Sequence, residues 1–576
     1  MFIPTTADEV KRLGWKNLDI ILITGDAYID SSFIGVAVIG KVLMNAGYKV
    51  GIIAQPDLTS ILDITRLGEP ELFWGVTAGA VDSMVANYTA LLRKRLEDDF
   101  TPGVENNKRP ERATIAYTNL IKRNFKKTKP IVLGGLEASL RRIAHYDYFT
   151  DTIRRSVLFD AKADILVYGM GEKAILEIAA ALEEEKDWKN IKGICYASSE
   201  KKTDYIEIPA YDEVKTDKKK FAEMFKTFYD NTDPITAKGL LQKHDTRYLV
   251  QNPPQPNLTT PELDAIYDLD YEREIHPYYK QKGEVRAMET IKYSITSHRG
   301  CYGECNFCSL AVHQGTTVVS RSSESIIKEA ENISKRVNFK GFITDVGGPT
   351  ANMYGIECKK KLKDGRCKDR RCIYPEICPK LNVKHLPQLE LLRKISAIPG
   401  VKKVFIASGL RYDMIINDRE FGLEYLEELV KDHVSGQLKI APEHVTEKVT
   451  ALMGKTKVGH LRKFREQFDG FNLKHKKNQF LTYYMIAAHP GCELADMKEL
   501  RSFVRKELKM TPEQIQVFTP TPSTYSTLMY HTGYDPFNGK AIFVEKGLKG
   551  KREQKDVIFE SAEENKYKGH GIQTGD

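Results

Sequence analysis

Short runs of apolar, β-branched residues alternate with segments of helical periodicity through the first 200 residues of the chain. The runs that predict buried strands lie at residues 18–24, 49–53, 130–133 and 164–168. The segments that predict helices lie near residues 34–46, 80–96 and 171–184. Because strands that alternate with helices pair side by side in parallel, the pattern predicts a doubly wound α/β domain over residues 1–199.

The same rhythm of strand followed by helix returns between residues 286 and 540. Strands are predicted at residues 292–296, 341–345, 403–408, 437–441, 480–487 and 514–518, and a helix is predicted near 323–336. Six such units are typical of a partial (β/α)6 TIM-like barrel, in which the residues that follow the strands form the site. The expected fold class is therefore α/β, with a doubly wound parallel sheet followed by this partial barrel.

Two segments lie outside these predicted domains. Residues 200–285 are rich in charge and proline but also carry tyrosines such as Tyr267 and Tyr279. Disordered segments are poor in aromatic residues, so we expect a connector that packs on both domains. Residues 541–576 are rich in lysine, glutamate and glycine, and we expect a charged, flexible tail there.

The most informative chemistry lies in three cysteines of one short loop. Cys301, Cys305 and Cys308 stand at CxxxCxxC spacing directly after the strand predicted at 292–296. A structural zinc site closes with four protein ligands, whereas an iron-sulfur cube held by three cysteines leaves one iron open to a substrate or cofactor. The alternatives are a zinc loop completed by a distant Cys492 or His313, and unpaired buried thiols.

This spacing resembles the signature of the radical S-adenosylmethionine (SAM) superfamily. The resemblance implies a [4Fe-4S] cluster whose open iron chelates SAM, and reductive cleavage of SAM to a 5'-deoxyadenosyl radical. Gly347, Gly348 and Pro349 follow the second core strand and resemble the Gly-Gly-Glu region whose backbone meets the SAM amino group. Proline and threonine replace the glutamate here, so backbone carbonyls would carry that contact.

Residues after the later core strands are further candidates. Ser408 is placed to hydrogen-bond a ribose, Arg411 to pair with a carboxylate in bidentate fashion, and Glu443 to contact the ribose. Glu443 and His444 are also catalytic candidates for proton exchange with substrate, with a buried ion pair as the alternative. Cys492 follows the fifth strand and is either a buried thiol or a reactive group at the barrel mouth.

A longer set of motifs resembles the YgiQ family of radical SAM proteins over nearly the whole chain. The motifs are His298-Arg-Gly-Cys301 with Cys305 and Cys308, His313-Gln-Gly315, Arg321-Ser322 with Glu324-Ser-Ile326, Gly347-Gly-Pro349, Ala441-Pro-Glu-His444 and His531-Thr-Gly-Tyr-Asp-Pro536. The resemblance implies an N-terminal cobalamin-domain-like region, a radical SAM core and a short C-terminal extension. It carries over Cys301, Cys305 and Cys308 as cluster ligands, and it implies no particular substrate.

The layout of residues 1–199 is similar to the cobalamin-binding-type domain that precedes many radical SAM cores. Its turns Gly134-Gly135 and Gly169-Met170-Gly171 would let a ligand or a helix approach the backbone closely. The usual cobalamin signature places a cobalt-ligating histidine two residues after an aspartate, and neither Asp26 nor Asp30 is followed by one. We therefore expect a scaffold or substrate-binding role without bound corrinoid.

A second cysteine group lies in an insert at residues 357–380 and comprises Cys358, Cys367, Cys372 and Cys378. Four thiols can close a shell around zinc or around an auxiliary iron-sulfur cluster, and the spacing does not rank the two. Free thiols are the alternative. Cys195 lies in an apolar run and is predicted to be a small core residue.

Composition narrows the classes of function. The 576 residues are 41% hydrophobic and 29% charged, and no run approaches the roughly 18 apolar residues of a membrane span. The N-terminus lacks the pattern of a secretory signal, so we expect a cytoplasmic protein whose cysteines are ligands or free thiols. The net charge of +9 is spread over short lysine runs such as 218–220, which favour a solvated surface over a nucleic-acid track.

The sequence thus predicts a radical SAM enzyme that acts on an unidentified substrate, with an electron donor such as flavodoxin or ferredoxin as its partner. The competing hypothesis is a non-catalytic iron-sulfur or zinc protein, an electron carrier or assembly platform, which would not cleave SAM. A third hypothesis is an RNA-modifying radical SAM enzyme, which would bind RNA in a salt-sensitive manner.

Overall fold

The N-terminal part of the chain is built on a nine-stranded sheet. The structure is a computed structural model that describes residues 1–510 and 515–559. In spatial order the strands are Ile206–Ile208, Leu240–His244, Arg247–Gln251, Ile194–Ser198, Ile165–Val167, Ile131–Gly134, Phe73–Thr77, Ile20–Thr24 and Val50–Ala54. The last five pair in parallel and are buried almost throughout, as expected of a sheet covered on both faces.

Helices on both faces of this sheet confirm the doubly wound class. Gly35–Asn45 and Glu172–Glu183 pack together over one face. Ala113–Asn124 and Val157–Ala161 cover the other face, in a core that includes Trp74. The remaining helices of this half are Ala7–Arg12, Leu62–Thr65, Ser83–Asn87, Gly135–Leu140, Tyr211–Thr216 and Lys218–Asp230, and a small hairpin joins His145–Asp147 to Thr152–Arg154.

The sheet continues past the domain boundary predicted at residue 199. Strands between Ile206 and Gln251 complete it, so that boundary falls inside the sheet. Ile194–Ser198 pairs antiparallel with both of its neighbours, Ile165–Val167 and Arg247–Gln251. The strands that follow it carry polar residues such as Glu207 and Lys243, so they lack the continuous apolar runs that marked the earlier strands.

The helix predicted over residues 80–96 is shorter in the structure. Only Ser83–Asn87 is helical, with Asp82 as its N-cap. Tyr88 is extended and forms an isolated antiparallel bridge with Lys94. The helical periodicity of this stretch was therefore overridden by tertiary packing.

The second part of the predicted connector links the two halves of the chain. Glu274–Ile275 pairs with Ile29–Asp30 of the N-terminal half. Arg273 Nη1 donates to the carbonyl oxygens of Lys292 and Ser294, at 3.2 and 3.0 Å, beside the first core strand. The connector therefore contacts both domains.

The core strands pair in parallel in the predicted chain order. Ser294–Thr296 pairs with Asp345–Gly347, Phe342–Ile343 with Lys403–Val404, and Gln437–Glu443 with Phe480–Ala487, which also pairs with Gln516–Val517. A bridge between Leu410 and Ile440 joins the third strand segment to the fourth. The result is a curved succession of parallel strands consistent with a partial barrel.

Helices between these strands complete a second apolar core that includes Ile326, Leu389 and Phe464. The principal ones are Ser323–Ser334, Leu386–Ser396, Tyr412–Asn417, Gly422–Glu428, Glu447–Met453, Val458–Lys474, Leu494–Phe503 and Tyr525–Thr532. Short helices also form at Thr260–Tyr267, Pro277–Lys280, Met288–Ile291, Leu310–His313 and Lys359–Asp364, with π-helical turns at Leu429–His433 and Val504–Leu508. Within residues 1–510 and 515–559, no helix is both long and apolar enough to cross a membrane.

The segment after residue 541 is folded as far as the structure describes it. Leu548–Asp556 forms a helix, in which Gln554 Nε2 donates to the Cys492 carbonyl at 2.9 Å. Lys551, 1% exposed, donates to the Tyr148 hydroxyl at 2.9 Å. The expectation of a flexible tail is therefore wrong for residues 541–559, because polar side chains there have buried partners. Residues 560–576 of the predicted tail lie outside the described residues.

Candidate active site

A cavity of about 430 Å³ lies where strand ends from both halves of the chain meet. Its N-terminal wall includes the glycine turns at 134–135 and 169–171 that the sequence predicted to admit a ligand. Its core wall includes Gly347, Gly348, Pro349 and Ser408. A volume of this size suits a small-molecule ligand. We call it the interdomain cavity.

The three-cysteine loop begins beside this cavity. Cys301, Cys305 and Cys308 lie between His298 and Leu310, both of which line the interdomain cavity. The loop follows the first core strand, whose C-terminal end is where parallel α/β folds place their sites. The local sequence thus positions the cysteines as predicted from the strand pattern.

Polar groups surround the sulfurs of this loop. The Gly303 amide donates to Cys301 Sγ at 3.3 Å, and Thr350 Oγ1 lies 3.3 Å from the same sulfur. Arg411 Nη1 donates to Cys305 Sγ at 3.6 Å. These contacts would stabilise negative charge on the sulfurs.

The three cysteine sulfurs are a donor set of the kind that holds an iron-sulfur cluster. Cysteines that hold a cube each bind a different iron, so their sulfurs do not converge on one point. In the part of the chain that the structure describes, no three His, Cys, Asp or Glu side chains are grouped around one ion position. Burial raises the pKa of Cys301, and burial with the neighbouring Cys305 raises the pKa of Cys308 to about 12. Metal binding would supply the positive charge that holds them as thiolates.

The glycine loop after the second core strand packs directly on the cysteine loop. The Gly347 carbonyl accepts hydrogen bonds from the Ser297 amide at 2.7 Å and from Ser297 Oγ at 3.1 Å. A Cβ atom at Gly348 would lie 2.6 Å from His298 Nε2 and 2.7 Å from the His298 carbonyl oxygen. Only glycine permits this approach without a shift of one loop.

Ser408 is held by an acidic neighbour. Its hydroxyl donates to Asp345 Oδ2, and its amide donates to Asp345 Oδ1 at 3.1 Å. Burial raises the pKa of Asp345. Ser408 lines the interdomain cavity, and its hydroxyl oxygen retains the capacity to accept a hydrogen bond.

Arg411 makes the bidentate pair expected of it, but with its own chain. Nε lies 2.8 Å from Asp413 Oδ1 and Nη2 lies 2.5 Å from Asp413 Oδ2. The guanidinium edge predicted to pair with a ligand carboxylate is therefore already filled. Only Nη1 remains, and it faces Cys305, because the chain turns into the Tyr412–Asn417 helix directly after Arg411.

The three catalytic candidates are absent from the described lining of the interdomain cavity. Glu443 is buried with Oε1 3.5 Å from Lys455 Nζ, and burial raises the pKa of Glu443. His444 Nε2 lies 3.7 Å from Cys492 Sγ. Burial lowers the pKa of His444 to about 4 and raises the pKa of Cys492 to about 12, so both are neutral at pH 7. This geometry matches the alternatives of a buried ion pair and a buried thiol.

Three cysteines of the insert pack in one apolar cluster, namely Cys358, Cys372 and Cys378. The cluster includes Tyr302, which directly follows Cys301, so the insert covers the cysteine loop. The fourth, Cys367, lies instead beside Lys360, whose pKa it raises. A second metal site on all four cysteines stays a prediction.

Several polar groups of the interdomain cavity were not among the predicted site residues. Arg299 Nη1 pairs with Glu172 Oε1 at 2.5 Å, and Arg299 Nε donates to the Tyr267 hydroxyl at 3.2 Å. Glu172 Oε2, Ser32 Oγ and His298 Nε2 are buried and have no hydrogen-bond partner among the described residues. All three of these residues line the cavity. His298 and Arg299 belong to the His298-Arg-Gly-Cys301 motif, but Glu172 and Ser32 carried no signal, because only folding brings them to the core.

Comparison with known proteins places these features in context. Residues 2–294 match the family model described as Radical SAM N-terminal. A UPF0313 protein of Fusobacterium nucleatum subsp. nucleatum is 57% identical over 98% of this chain and 100% of that protein. A UPF0313 protein of Thermotoga neapolitana is 50% identical over 97% of this chain and 98% of that protein.

Two solved structures share the fold at low sequence identity. One is the radical SAM methyltransferase TsrM from Kitasatospora setae, solved with tryptophan substrate and a SAM analog bound. It matches this chain with a TM-score of 0.52 and 14% sequence identity, and the match covers 88% of this chain and 75% of that chain. The other is the cobalamin-dependent SAM radical enzyme OxsB, solved with aqua-cobalamin bound. It matches with a TM-score of 0.50 and 11% sequence identity, and the match covers 89% of this chain and 55% of that chain. At these sequence identities, both matches show a similar fold and nothing further.

Proposed function

The chain belongs to the UPF0313 family of radical SAM proteins, and from that premise we propose that it uses a [4Fe-4S] cluster to cleave SAM into a radical that acts on an unidentified substrate. The family assignment also confirms the resemblance to YgiQ-like proteins. The observation that carries the proposal is the packing of the Cys301, Cys305 and Cys308 loop against the Gly347-Gly348 loop beside a ligand-sized cavity.

The three loop cysteines would hold the cluster and leave one iron open to SAM. When bound, such a cluster supplies the electron that breaks the sulfonium C–S bond of SAM, which yields methionine and a 5'-deoxyadenosyl radical. Arg411 Nη1 and the Gly303 amide would stabilise the anionic sulfurs and orient their side chains. Thr350 Oγ1 would fix Cys301 in the same way.

The glycine loop would bind SAM through its backbone. The Gly347 carbonyl already accepts two hydrogen bonds from Ser297, so the carbonyls of Gly348 and Pro349 are better placed for the SAM amino group. Ser408, aligned by Asp345, would contact the ribose. Glu443 is paired with Lys455, and we assign it a structural role in place of the ribose contact.

Two polar residues of the cavity lining are themselves buried. His298 is fully buried and Glu172 is 4% exposed, although both line the cavity. A radical formed in this space would abstract a hydrogen atom from substrate, which would convert the radical to 5'-deoxyadenosine.

The interdomain cavity also supports a corrinoid as a second cofactor, which corrects the expectation of its absence. TsrM and OxsB, which share the fold, have been solved with cobalamin bound. The missing histidine after Asp26 and Asp30 removes one cobalt ligand, but the glycine turns at 134–135 and 169–171 still let a ligand approach the strand ends. Burial lowers the pKa of the cavity-lining His313 to about 4, so its imidazole is neutral, the form that ligates metals. Gel filtration with hydroxocobalamin tests this, since a corrinoid that elutes apart from the protein would restore the original expectation.

The competing hypotheses remain distinct in what they predict. A non-catalytic iron-sulfur or zinc protein would bind metal without cleaving SAM. An RNA-modifying enzyme would bind RNA less tightly as salt rises, because phosphate contacts release counterions. The flavodoxin or ferredoxin partner and the cytoplasmic location stay predictions.

Anaerobic reconstitution tests the proposed function. The wild type should bind iron and sulfide, show an electron paramagnetic resonance signal that SAM perturbs, and form 5'-deoxyadenosine with a chemical reductant. The C301A/C305A/C308A variant should lose all three properties, whereas C195A, which removes a buried cysteine of the N-terminal sheet, should keep them. A cluster whose signal ignores SAM, or zinc alone, would contradict the proposal.

A further inference from the structure

A smaller cavity of about 100 Å³ adjoins the interdomain cavity. The two share a wall formed by Gly169, Met170, Arg299, His313 and Gln314. Much of the remaining lining of the smaller cavity is apolar and comes from Pro234, Pro254, Pro256, Leu258 and Leu263. We call it the side cavity, and it adjoins the space assigned to SAM and substrate.

A buried arginine lines the side cavity. Arg142 is 1% exposed. Its Nε donates to Gln251 Oε1 at 3.1 Å and its Nη1 donates to the Ser139 carbonyl at 2.5 Å. The rings of Tyr168 and Phe228 each lie 4.4 Å from its guanidinium carbon. Among residues 1–510 and 515–559, no acceptor hydrogen-bonds to Nη2.

This guanidinium also lacks a carboxylate partner in the described chain, unlike the other cations of the side cavity. Lys173 pairs with Glu262 at 2.9 Å and Arg299 with Glu172 at 2.5 Å. Asp233 lines the side cavity as well, but its carboxylate accepts from backbone amides of its own turn. Burial lowers the pKa of Arg142, as expected where no anion compensates the charge.

Arg142 is connected through Ser139 to the short helix that follows the cysteine loop. The Ser139 carbonyl accepts from Arg142, and Ser139 Oγ lies 3.0 Å from His313 Nδ1. His313 ends the helix Leu310–His313, which begins two residues after Cys308. An anion bound at Arg142 would therefore lie beside the Leu310–His313 helix, which follows the cysteine loop in the chain.

We propose that the side cavity binds an anionic group of the substrate, a carboxylate or a phosphate, through Arg142 Nη2. The planar guanidinium suits both groups, and a cavity of about 100 Å³ has room for either with a few attached carbons. The two cavities share lining residues such as Met170 and His313, and the substrate would extend from one cavity to the other past them. This inference rests on the proposed function, since it takes the interdomain cavity as the place of reaction.

The competing explanation is structural. The faces of Tyr168 and Phe228 and the Ser139 carbonyl would together offset the charge of Arg142, with no ligand involved. The two explanations differ in whether the wild-type protein binds a small anion at this position.

Calorimetric titration of the reconstituted holoenzyme with inorganic phosphate and, separately, with acetate tests the proposal. The wild type should bind at least one of the two anions. Binding of phosphate would identify a phosphate site, and binding of acetate would identify a carboxylate site. R142M should weaken that binding at least tenfold. R247M is the matched control, because Arg247 also stacks on a ring, Phe159, but lies exposed outside both cavities. R247M should bind as wild type does.

Absence of binding to wild type, or equal binding by R142M, would overturn the proposal. If R142M does not fold, crystals of wild type soaked in phosphate and, separately, in acetate decide the matter by difference electron density. Either anion within hydrogen-bond distance of Arg142 supports the site, and density for both anions only elsewhere refutes it. Formation of 5'-deoxyadenosine without substrate is measured in parallel, so failure of the anion site is distinguished from failure of the radical chemistry.

Discussion

Gly348→Ala should damage SAM binding through a steric contact that the structure defines. The added Cβ would lie 2.6 Å from His298 Nε2, 2.7 Å from the His298 carbonyl oxygen and 2.8 Å from its Cε1. The carbonyl belongs to the backbone, so rotation of the imidazole alone cannot relieve the overlap. One of the two loops must move, and overpacking of this kind costs about 1–3 kcal/mol.

That cost should fall on the loop assigned to SAM. If the whole overpacking cost acts against the loop conformation that binds SAM, the dissociation constant for SAM rises about 5- to 150-fold, at about 1.4 kcal/mol per factor of ten. Equilibrium dialysis of the reconstituted protein measures this constant. The midpoint of urea unfolding reports the stability change, since a single free energy of unfolding is poorly defined for a chain with several domains.

Gly409→Ala is the matched control for this experiment. Gly409 follows Ser408 at the third strand, and a Cβ there would meet no atom within 4 Å. The double variant G348A/H298A, compared with H298A alone, should recover only part of the loss, because the contact with the carbonyl oxygen remains. If G348A binds SAM and unfolds as G409A does, the close approach of the two loops does not matter and the reasoning is refuted.

Three further predictions concern buried ionisable groups. K455M should destabilise the protein by about 3–5 kcal/mol, because it leaves Glu443 buried without its partner. Burial raises the pKa of Glu443, so the native state holds that proton more tightly than the unfolded state, and the deficit in urea midpoint should be smaller at pH 5 than at pH 8. Burial lowers the pKa of Lys551 to about 8, so between pH 8 and 10 the native state loses this proton while the unfolded state keeps it, and the stability of the protein should rise. The thermal midpoint should show this rise in the wild type and not in K551M. A rise that persists in K551M would assign the effect to another group. In the native protein at pH 8, the buried Cys492 should resist iodoacetamide while the partly exposed Cys367 reacts. Mass spectrometry of the labelled peptides measures both reactions. Equal labelling of the two cysteines would contradict the buried placement of Cys492.

Parts of the fold could be predicted because their signals are local. The fifth core strand occupies Phe480–Ala487, as its apolar run indicated, and the helices Gly35–Asn45 and Glu172–Glu183 follow their periodic segments. Each of these elements buries a face that its own residues define.

Other parts depended on partners distant in sequence. Phe73–Thr77 is a central strand that went unrecognised, because glycine interrupts its short apolar run and its burial comes from strands on both sides. The helix Leu548–Asp556 carries charged residues that read as a solvated tail. It is ordered by hydrogen bonds to Cys492 and Tyr148, which no local pattern reveals.

The sequence by itself determined the chemistry that the chain carries: three thiols in one loop, a Gly-Gly turn after the next strand, and strands whose order places both at one end of a parallel sheet. Tertiary structure decided how those groups are used. It paired Arg411 with Asp413 and turned only Nη1 to Cys305, and it left Arg142 buried without a carboxylate in the described chain. The physical reason is that a motif is held by neighbours along the chain, whereas charge pairing and cavity shape arise only when burial removes water from residues far apart in sequence.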